Sequence, residues 1–544
     1  MNLPADLVFH HGAVYTVDAA RSWAEAVAVR NGRIVFVGTD AAVAPLIGQH
    51  TRVVDLQGHM LLPGFHDSHV HPISGGIELG ECTLTDLTTE AQILDTIRAY
   101  AARHPEERWI VGNGWQLPIF PNASPSRQLL DQIIPDRPAY FASADGHSAW
   151  VNSRALALAG ITDSTEDPPG GRIERDPNTG EATGTLREAA TGLVERLLPE
   201  HTSADYEAAL RRALGLANRL GIIGMIDADA DEPKLAAYQA MDRAGRLTAR
   251  IVAAMHTEAH EGLGQLSRLE AWRAKYSSVN VRPVAAKIFA DGVIEARTAA
   301  LLEPYLGTSH DRGELGVQKD TLEALVAALD RDGFQIHVHA IGDWAIRETL
   351  DAIEKARAAN GHHDNRPIIA HLELIDPADI PRFRALGVIA SFQPLWAYPD
   401  EYITELTEPK LGPARSRWLY PIESVLRTGA IVAAGSDWSV SSLDPLQAMQ
   451  VAITRRAPDS TAGPAWIPEE RATLAEMIAA YTIEGAWASR AEKISGSIEV
   501  GKDADLVVLD QNLFAIPPEQ IHTARVLLTF LRGREVYGDD RMKD

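Results

Sequence analysis

Apolar runs that alternate with amphipathic segments dominate the pattern of the chain from residue 201 onward. The runs are rich in Val, Ile and Ala, and the segments between them carry apolar positions at helical spacing. Residues 319–332, for example, place Leu322, Leu325 and Leu329 on one face and end before Gly333. Continuous apolar runs are typical of parallel strands that are buried on both faces. The pattern therefore predicts a series of βα units.

Eight such strands are predicted when the run that begins at residue 61 is included. Eight βα units close naturally into a TIM-type (β/α)8 barrel of the α/β class. The main alternative is a doubly wound open sheet, but no G-x-G-x-x-G follows an early strand to support it. The predicted strands are LLPGFHDSHV, GIIGMIDAD, RIVAAMHT, VRPVAAKIFADG, FQIHVHAIGD, RPIIAHLELID, GVIASFQPLW and AIVAAGSDWSV.

The two ends of the chain have a different pattern, in which short β-like runs alternate with turns. Asn31-Gly32 between two such runs is a strong hairpin signal. We predict that residues 1–60 and 490–544 form one small β-sandwich domain and that residues 61–489 form the barrel. Residues 73–200 interrupt the barrel after its first strand. Long insertions on a rigid scaffold often become lids or walls of the substrate pocket, and we expect this one to do so.

Composition narrows the class of protein. The chain has 544 residues, of which 45% are hydrophobic, and one cysteine, Cys82. No apolar run approaches the roughly 20 residues that span a bilayer, and the first residues, MNLPADLVFHHG, lack the features of a secretory signal. An intramolecular disulfide is impossible, so any metal must be held by nitrogen and oxygen ligands. We expect a cytoplasmic protein with no membrane contact.

The net charge of −23, from 74 acidic and 51 basic residues, argues against a nucleic-acid partner. Phosphate binding requires a positive surface, and this chain does not supply one. The charge does not identify a substrate, because net charge of either sign also serves solubility. A small-molecule substrate and a homodimer are the expected partners.

Candidate chemistry lies where the predicted strands end. Barrel active sites are built at the carboxyl ends of the strands. His69 and His71 are two residues apart, so in a strand their side chains leave the same face and offer half of a zinc site. His337 is deeper in its strand, and we expect it in the core or behind a ligand. Four imidazoles and a carboxylate at one rim would bind one or two divalent metals, with zinc expected; the further strand-end candidates are Lys287, His339, His371 and Asp437.

Lys287 lies in VAAKIFA, a run that should be buried. Burial lowers the pKa of a lysine, so that a neutral amine becomes available. A neutral amine takes up carbon dioxide to give a carbamate, which has the shape and charge of a carboxylate and bridges two metals well. The alternative is an ammonium group paired with Asp291, at the same strand end.

Several motifs occur in an order that resembles a known family. They are PGFHDSHVHP, KIFADGVIEARTAAL, HVHAIGD, IIAHLELI, AGSDWSV and GSIEVGKDADLVVLD. Together they resemble the family-3 branch of the amidohydrolase superfamily, which includes N-substituted formamide deformylases and YtcJ-like hydrolases. The resemblance covers nearly the whole chain and is much less specific for substrate than for the branch.

The resemblance implies a ligand set and a substrate pocket. His69 and His71 would hold one metal with Asp437, His339 and His371 would hold a second, and carboxylated Lys287 would bridge the two. After His371 the chain reads Leu-Glu-Leu, where many relatives have a small residue and Gln, which should change the adjacent pocket. The residues expected to line the pocket are Trp115, His147, Arg187, Asp291 and Arg297.

The predicted reaction is hydrolysis of a C–N bond in a linear N-acyl or N-formyl amide. Asp437 is the expected general base, which takes a proton from water and returns it to the leaving amine. A cyclic amidase or a deaminase would use the same metal site and remains an alternative. A non-catalytic binding relative is the third reading, although such relatives usually lose ligands and here every position is filled.

Overall fold

The barrel is an eight-stranded parallel sheet in which each strand pairs with the next in chain order. It is seen in a computed structural model that describes residues 3–85, 87–460 and 462–539. All eight predicted strands are present, which confirms the TIM-type barrel. The barrel strands are β1 (Phe65–Val70), β2 (Ile222–Ala230), β3 (Arg250–His256), β4 (Val281–Phe289), β5 (Gln335–Ala340), β6 (Ile368–His371), β7 (Ile389–Phe392) and β8 (Val432–Ala434).

Backbone contacts join the last strand to the first and nearly close the barrel. The amide of Asp437 donates to the carbonyl of His69 over 2.8 Å, and the amide of His71 donates to Trp438 over 2.9 Å. The buried carboxylate of Asp67 accepts from the amides of His69 and Ser436, each at 3.1 Å. Three of the predicted ligands therefore lie on the segments that close the barrel.

Side chains from most of the strands fill the barrel interior. The site can therefore lie only above these side chains, at the strand ends. Alternation along each strand decides which residues face inward. The interior cluster contains Ile226, Val252, Ala254, Ala285, Ile368, Ile389 and Ala433.

Amphipathic helices surround the barrel, as the helical spacing predicts. Ser203–Arg219 begins at Thr202, whose side chain forms a capping box with Asp205. Its buried face includes Leu210 and Leu214. No helix among the described residues is long and apolar enough to cross a membrane. The other helices from residue 232 onward are Glu232–Arg243, Leu266–Tyr276, Lys319–Arg331, Asp343–Asn360, Ile380–Leu386, Glu408–Leu411, Pro413–Ser416, Ile422–Arg427, Pro445–Thr454, Leu474–Ala480 and Ile483–Ala488.

The chain ends form two sheets that pack on each other. Met60–Pro63 pairs with Leu506–Leu509, so one sheet contains strands from both ends. Phe9 of one sheet meets Phe530 of the other with ring centroids 5.1 Å apart. This confirms a sandwich built from both ends, while the domain boundaries given above stay predictions. The four-stranded sheet is Arg33–Gly38, Ala26–Arg30, Leu7–His10 and Arg52–Asp55; the six-stranded sheet is Arg534–Gly538, Val526–Leu531, Leu506–Leu509, Met60–Pro63, Ala13–Tyr15 and Trp23–Ala24.

The insertion after β1 has a sheet and two hydrophobic clusters of its own. Thr89 begins helix Glu90–Arg103 with a capping box. The turn around residues 176–181 joins the last two strands as a hairpin. The strands are Cys82–Thr83, Ile110–Trp115, Ala139–Ser143, Ser148–Val151, Gly171–Arg175 and Ala182–Glu188, and the helices from residue 72 to 195 are Pro72–Glu78, Glu90–Arg103, Arg127–Ile133, Ser153–Ala159 and Gly192–Glu195.

Candidate metal centre

His69, His71 and Asp437 offer ligand atoms that all lie within 4.8 Å of one another. Asp437 Oδ1 is 3.1 Å from His71 Nε2 and 3.4 Å from His69 Nε2. Tetrahedral zinc with ligands at 2.0–2.1 Å separates them by roughly 3.3 Å. His69 Nε2 and Asp437 Oδ1 are buried and lack a hydrogen-bond partner, which is costly unless an ion satisfies them. These atoms fit a divalent metal.

The orientation of His69 is fixed from behind by another histidine. His337 Nε2 lies 2.8 Å from His69 Nδ1, which leaves His69 Nε2 for the metal. A hydrogen bond to the second ring nitrogen commonly orients a ligating imidazole. His337 therefore lies behind a candidate ligand, where its deeper place in the strand predicts it.

His339 and His371 stand beside this group, with ring centroids 4.4 Å apart, and the ring of His371 is 4.7 Å from that of His69. Ile368 faces the interior, so simple alternation would turn His371 outward. His371 instead has a φ of 76°, and this left-handed conformation redirects its side chain. Asp437 also has a positive φ, of 53°. Such backbone strain often occurs at functional sites.

The imidazoles in this group are held in the neutral form that binds metals. Burial is the first cause that lowers the pKa of His69, His339 and His371 well below 6.5. The charge of Lys287 acts in the same direction on each of them. A neutral imidazole keeps a lone pair free, as a ligand requires.

Lys287 is buried at the same rim, and its amine makes no ion pair or hydrogen bond with any residue that the structure describes. Its Nζ lies 4.4 Å from the centre of the Phe289 ring. Burial lowers the pKa of Lys287, against the opposing charges of Asp229 and Asp437. The alternative pairing with Asp291 is not formed, because that carboxylate accepts from the backbone amides of residues 300, 341 and 342.

His147 is the predicted pocket residue that lies nearest the imidazole group. Its ring centroid is 6.0 Å from that of His339, and its Nδ1 lies 2.9 Å from Glu188 Oε2. Thr298 donates to the other oxygen of Glu188 over 2.9 Å, which ties the insertion to the loop after β4. Burial alone lowers the pKa of His147, but the carboxylate of Glu188 outweighs it and raises the pKa to about 9.

The other predicted pocket residues have different surroundings. Trp115 lies in the core of the insertion, where its Nε1 donates to the carbonyl of Phe141. Arg187 is buried and donates to Ser148 Oγ over 2.7 Å. Arg297 is about half exposed, 4.0 Å from Asp311. Their roles as substrate contacts, like that of Asp291, stay predictions.

Gln393 is a residue of this site that the sequence analysis did not select. Its Oε1 lies 2.9 Å from His371 Nδ1, so it orients His371 as His337 orients His69. It directly follows β7, a predicted strand for which no candidate residue was named. A polar residue just beyond an apolar strand was the available signal.

Replacing Gln393 by leucine should lower metal affinity by about tenfold to a hundredfold, because the ring of His371 would lose its partner. Metal titration of the stripped variant against wild type measures the change. Gln49→Leu, on the exposed surface, is the matched control and should leave affinity unaltered. Equal affinities in wild type and Gln393→Leu would contradict the assigned role.

The sequence profile of the Amidohydrolase family matches residues 52–537. The chain belongs to the amidohydrolase family. This confirms the resemblance and the predicted enzyme class, a metal-dependent hydrolase that acts on carbon–nitrogen bonds. The ligand assignments within this amidohydrolase are not tested by the match and stay predictions.

Individual relatives match along nearly their whole length. The putative amidohydrolase YtcJ of Bacillus subtilis is 31% identical over 97% of this chain and 99% of its own. The N-substituted formamide deformylase of Arthrobacter pascens is 28% identical over 97% of each chain. An uncharacterised metal-dependent hydrolase of Pyrococcus furiosus, known as a crystal structure, superposes with a TM-score of 0.72 at 25% identity, covering 93% of this chain and 99% of its own.

Proposed function

We propose that this amidohydrolase cleaves the C–N bond of a small linear N-acyl or N-formyl amide, with Asp437 as the general base. The observation that carries the proposal is the group formed by His69, His71 and Asp437. Within it, His69 Nε2 and Asp437 Oδ1 are buried and have no hydrogen-bond partners. The similarity to a formamide deformylase supports the choice of a linear amide.

A divalent metal held by these residues would supply Lewis acidity, which lowers the pKa of water and polarises a carbonyl. Asp437 faces His69 and His71 with Oδ1 and lies 3.9 Å from His371 Nδ1 with Oδ2. It takes one proton from the attacking water as the new C–O bond forms. It gives that proton to the leaving nitrogen as the C–N bond breaks, so that the products are an acid and an amine.

The proposal also includes the kind and number of metal ions and the residues that hold each of them. We infer a zinc site of two ions, with His69, His71 and Asp437 on one and His339 and His371 on the other. The amine of Lys287, in its unprotonated form, would add carbon dioxide and release one proton, and the resulting carbamate would offer a carboxylate-like ligand to the metal site. The unpaired, buried state of that amine supports this reading.

A substrate panel with metal analysis tests the function. Metal-loaded protein should hydrolyse at least one compound among formamides and N-acyl amino acids, and removing the metal with a chelator should abolish turnover. Hydrolysis confined to lactams or ring amines would replace the linear-amide proposal with the cyclic amidase or deaminase reading. No turnover of any compound in a metal-loaded protein would favour the non-catalytic reading.

His147→Gln should lower kcat/KM by about tenfold to a hundredfold, because a charged hydrogen-bond donor at the pocket is lost.

The pH dependence of stability tests the pairing of His147 with Glu188. A histidine titrates near pH 6.5 when unfolded and here at about 9, so its pairing stabilises the fold fully below pH 6.5 and loses this effect as pH rises through 9.

The free energy of unfolding of wild type relative to His147→Gln, measured in urea, should therefore shrink between about pH 6 and about pH 9.5. A difference that is constant across this range would contradict the pairing with Glu188. A small-molecule amide substrate, a cytoplasmic location and a homodimer complete the proposal; the single cysteine supports the location.

A further inference from the structure

A second group of metal-binding side chains lies on the sandwich and shares no residue with the candidate metal centre of the barrel. His10, His11 and Asp55 offer ring-nitrogen and carboxylate-oxygen atoms that all lie within 4.8 Å of one another. His11 Nδ1 is 3.1 Å from Asp55 Oδ1, and the ring centroids of His10 and His11 are 4.0 Å apart. Tetrahedral zinc separates two of its ligand atoms by roughly 3.3 Å. The spacing of these atoms therefore suits one ion.

Strand pairing brings His10 and Asp55 together. The strand Leu7–His10 runs parallel to the strand Arg52–Asp55, and His10 is directly opposite Asp55 in the register. Phe9, one residue earlier, packs into the core between the two sheets of the sandwich. Because side chains alternate between the two faces of a sheet, His10 and its neighbour Asp55 leave the face that is turned away from this core. Both side chains are therefore held on the outer face of the four-stranded sheet.

A left-handed backbone conformation brings His11 to the same place. Neighbouring residues of a regular strand point to opposite faces, but His11 lies just beyond its strand and has a φ of 53°. Its amide donates to Asp40 Oδ1 over 2.8 Å, and its carbonyl accepts from the amide of Gly58 over 2.7 Å. Such a conformation costs free energy in a residue other than glycine and persists only where the surroundings hold it. The backbone thus positions all three side chains before any ion binds.

The three groups are in the chemical form that a ligand needs. The partly exposed ring of His10 makes no hydrogen bond or ion pair with any residue that the structure describes, so its lone pair is free. Asp55 Oδ1 accepts from the amide of Gln57 over 3.0 Å, which fixes the carboxylate. This hydrogen bond is the first cause that lowers the pKa of Asp55, so the group is charged at neutral pH.

We propose that His10, His11 and Asp55 bind one divalent transition-metal ion where the two paired strands end. Two imidazoles and one carboxylate suit zinc, copper(II) or nickel(II), whereas calcium and magnesium take oxygen ligands. The group is open to solvent, so water fills the remaining positions of the ion. Arg52–Asp55 is the edge strand of its sheet, and an ion that binds only the folded chain ties it to Leu7–His10 and stabilises the sandwich.

Zinc content at saturation tests this site whatever number of ions the barrel holds. In equilibrium dialysis of the full chain, wild type should bind one more zinc ion per chain than the double variant His10→Asn/His11→Asn. Asparagine tolerates a positive φ, so the backbone at residue 11 should be kept. Each single variant should weaken the binding of this ion by at least about tenfold, because one ligand is lost. His50→Asn, which removes an exposed histidine of the same domain, is the matched control and should keep the ion.

Unfolding in urea gives a second measurement that does not depend on turnover. Excess zinc should raise the urea midpoint of wild type more than that of the double variant, because the barrel site contributes equally to both proteins. Hydrolysis of amides by the metal-loaded double variant should stay at the wild-type rate, since no residue of the barrel site is changed. Asp55→Ala leaves both histidines in place and repeats the test if the double variant does not fold.

Two outcomes would overturn the site. Equal zinc content in wild type and in the double variant would mean that His11 and Asp55 form only a hydrogen bond with each other. An additional ion that His50→Asn loses to the same extent would be an adventitious ion only, held by exposed histidines in general. Either result would leave the proposed hydrolase function standing, because that function depends on the barrel site alone.

Discussion

Asp437→Asn should lower kcat by about a thousandfold while the protein keeps its fold and much of its metal. The amide side chain can still coordinate through oxygen, but it cannot accept the proton of water at neutral pH. The backbone amide of residue 437 would still donate to His69, so barrel closure should survive. The change therefore isolates proton transfer from architecture.

Steady-state kinetics on the best amide from the panel, with metal content and circular dichroism alongside, measure this effect. Asp229→Asn is the matched control, because it removes a carboxylate at the same rim that bonds His256 over 2.7 Å. That control should stay within about tenfold of wild type. Turnover near wild type in Asp437→Asn would remove the residue from the role of general base.

Lys287→Met is expected to abolish activity and, at the same time, to stabilise the metal-free protein by about 1 kcal/mol or more. An amine that is buried without an ion-pair or hydrogen-bond partner destabilises the fold, and methionine has a similar length and no charge. The same amine is the only proposed source of the bridging carbamate, so the variant should lose at least a hundredfold in kcat.

Denaturant unfolding of the stripped proteins and intact-mass measurement of the wild type test both halves of this prediction. The native wild type should carry the added mass of one carbon dioxide, which acid should release. Lys355→Met, which loses a surface pair with Glu323, is the control and should alter stability little. A Lys287→Met protein that is less stable than wild type by several kcal/mol would show that the amine has a partner.

Much of the fold was predictable because it follows from the local periodicity of apolar residues. Apolar runs gave all eight barrel strands, and helical spacing gave Lys319–Arg331 with its start and, to within one residue, its end. The hairpin at Asn31 follows from the positive φ that both turn residues adopt, 51° and 73°. The candidate ligands were predictable for a related reason, because parallel strands that share a direction must bring their carboxyl ends to one rim.

The environment of each side chain was harder to predict from the sequence. Trp115 and His147 both lie in the insertion, and nothing in the local sequence distinguishes them. The structure surrounds Trp115 with the core of the insertion, whereas it sets the ring of His147 6.0 Å from that of His339. The difference depends on how the insertion packs over the barrel, and no sequence period encodes that.

The sequence by itself therefore determined the order of elements, the sandwich made from both ends and the rim where His69, His71 and Asp437 meet. Only the tertiary structure decided which atoms are left without hydrogen-bond partners: His69 Nε2 beyond His337, and Asp437 Oδ1 beside it. Periodicity acts over neighbouring turns and strands, whereas these contacts join residues far apart in the chain. Their geometry is fixed when the loops and the insertion pack together.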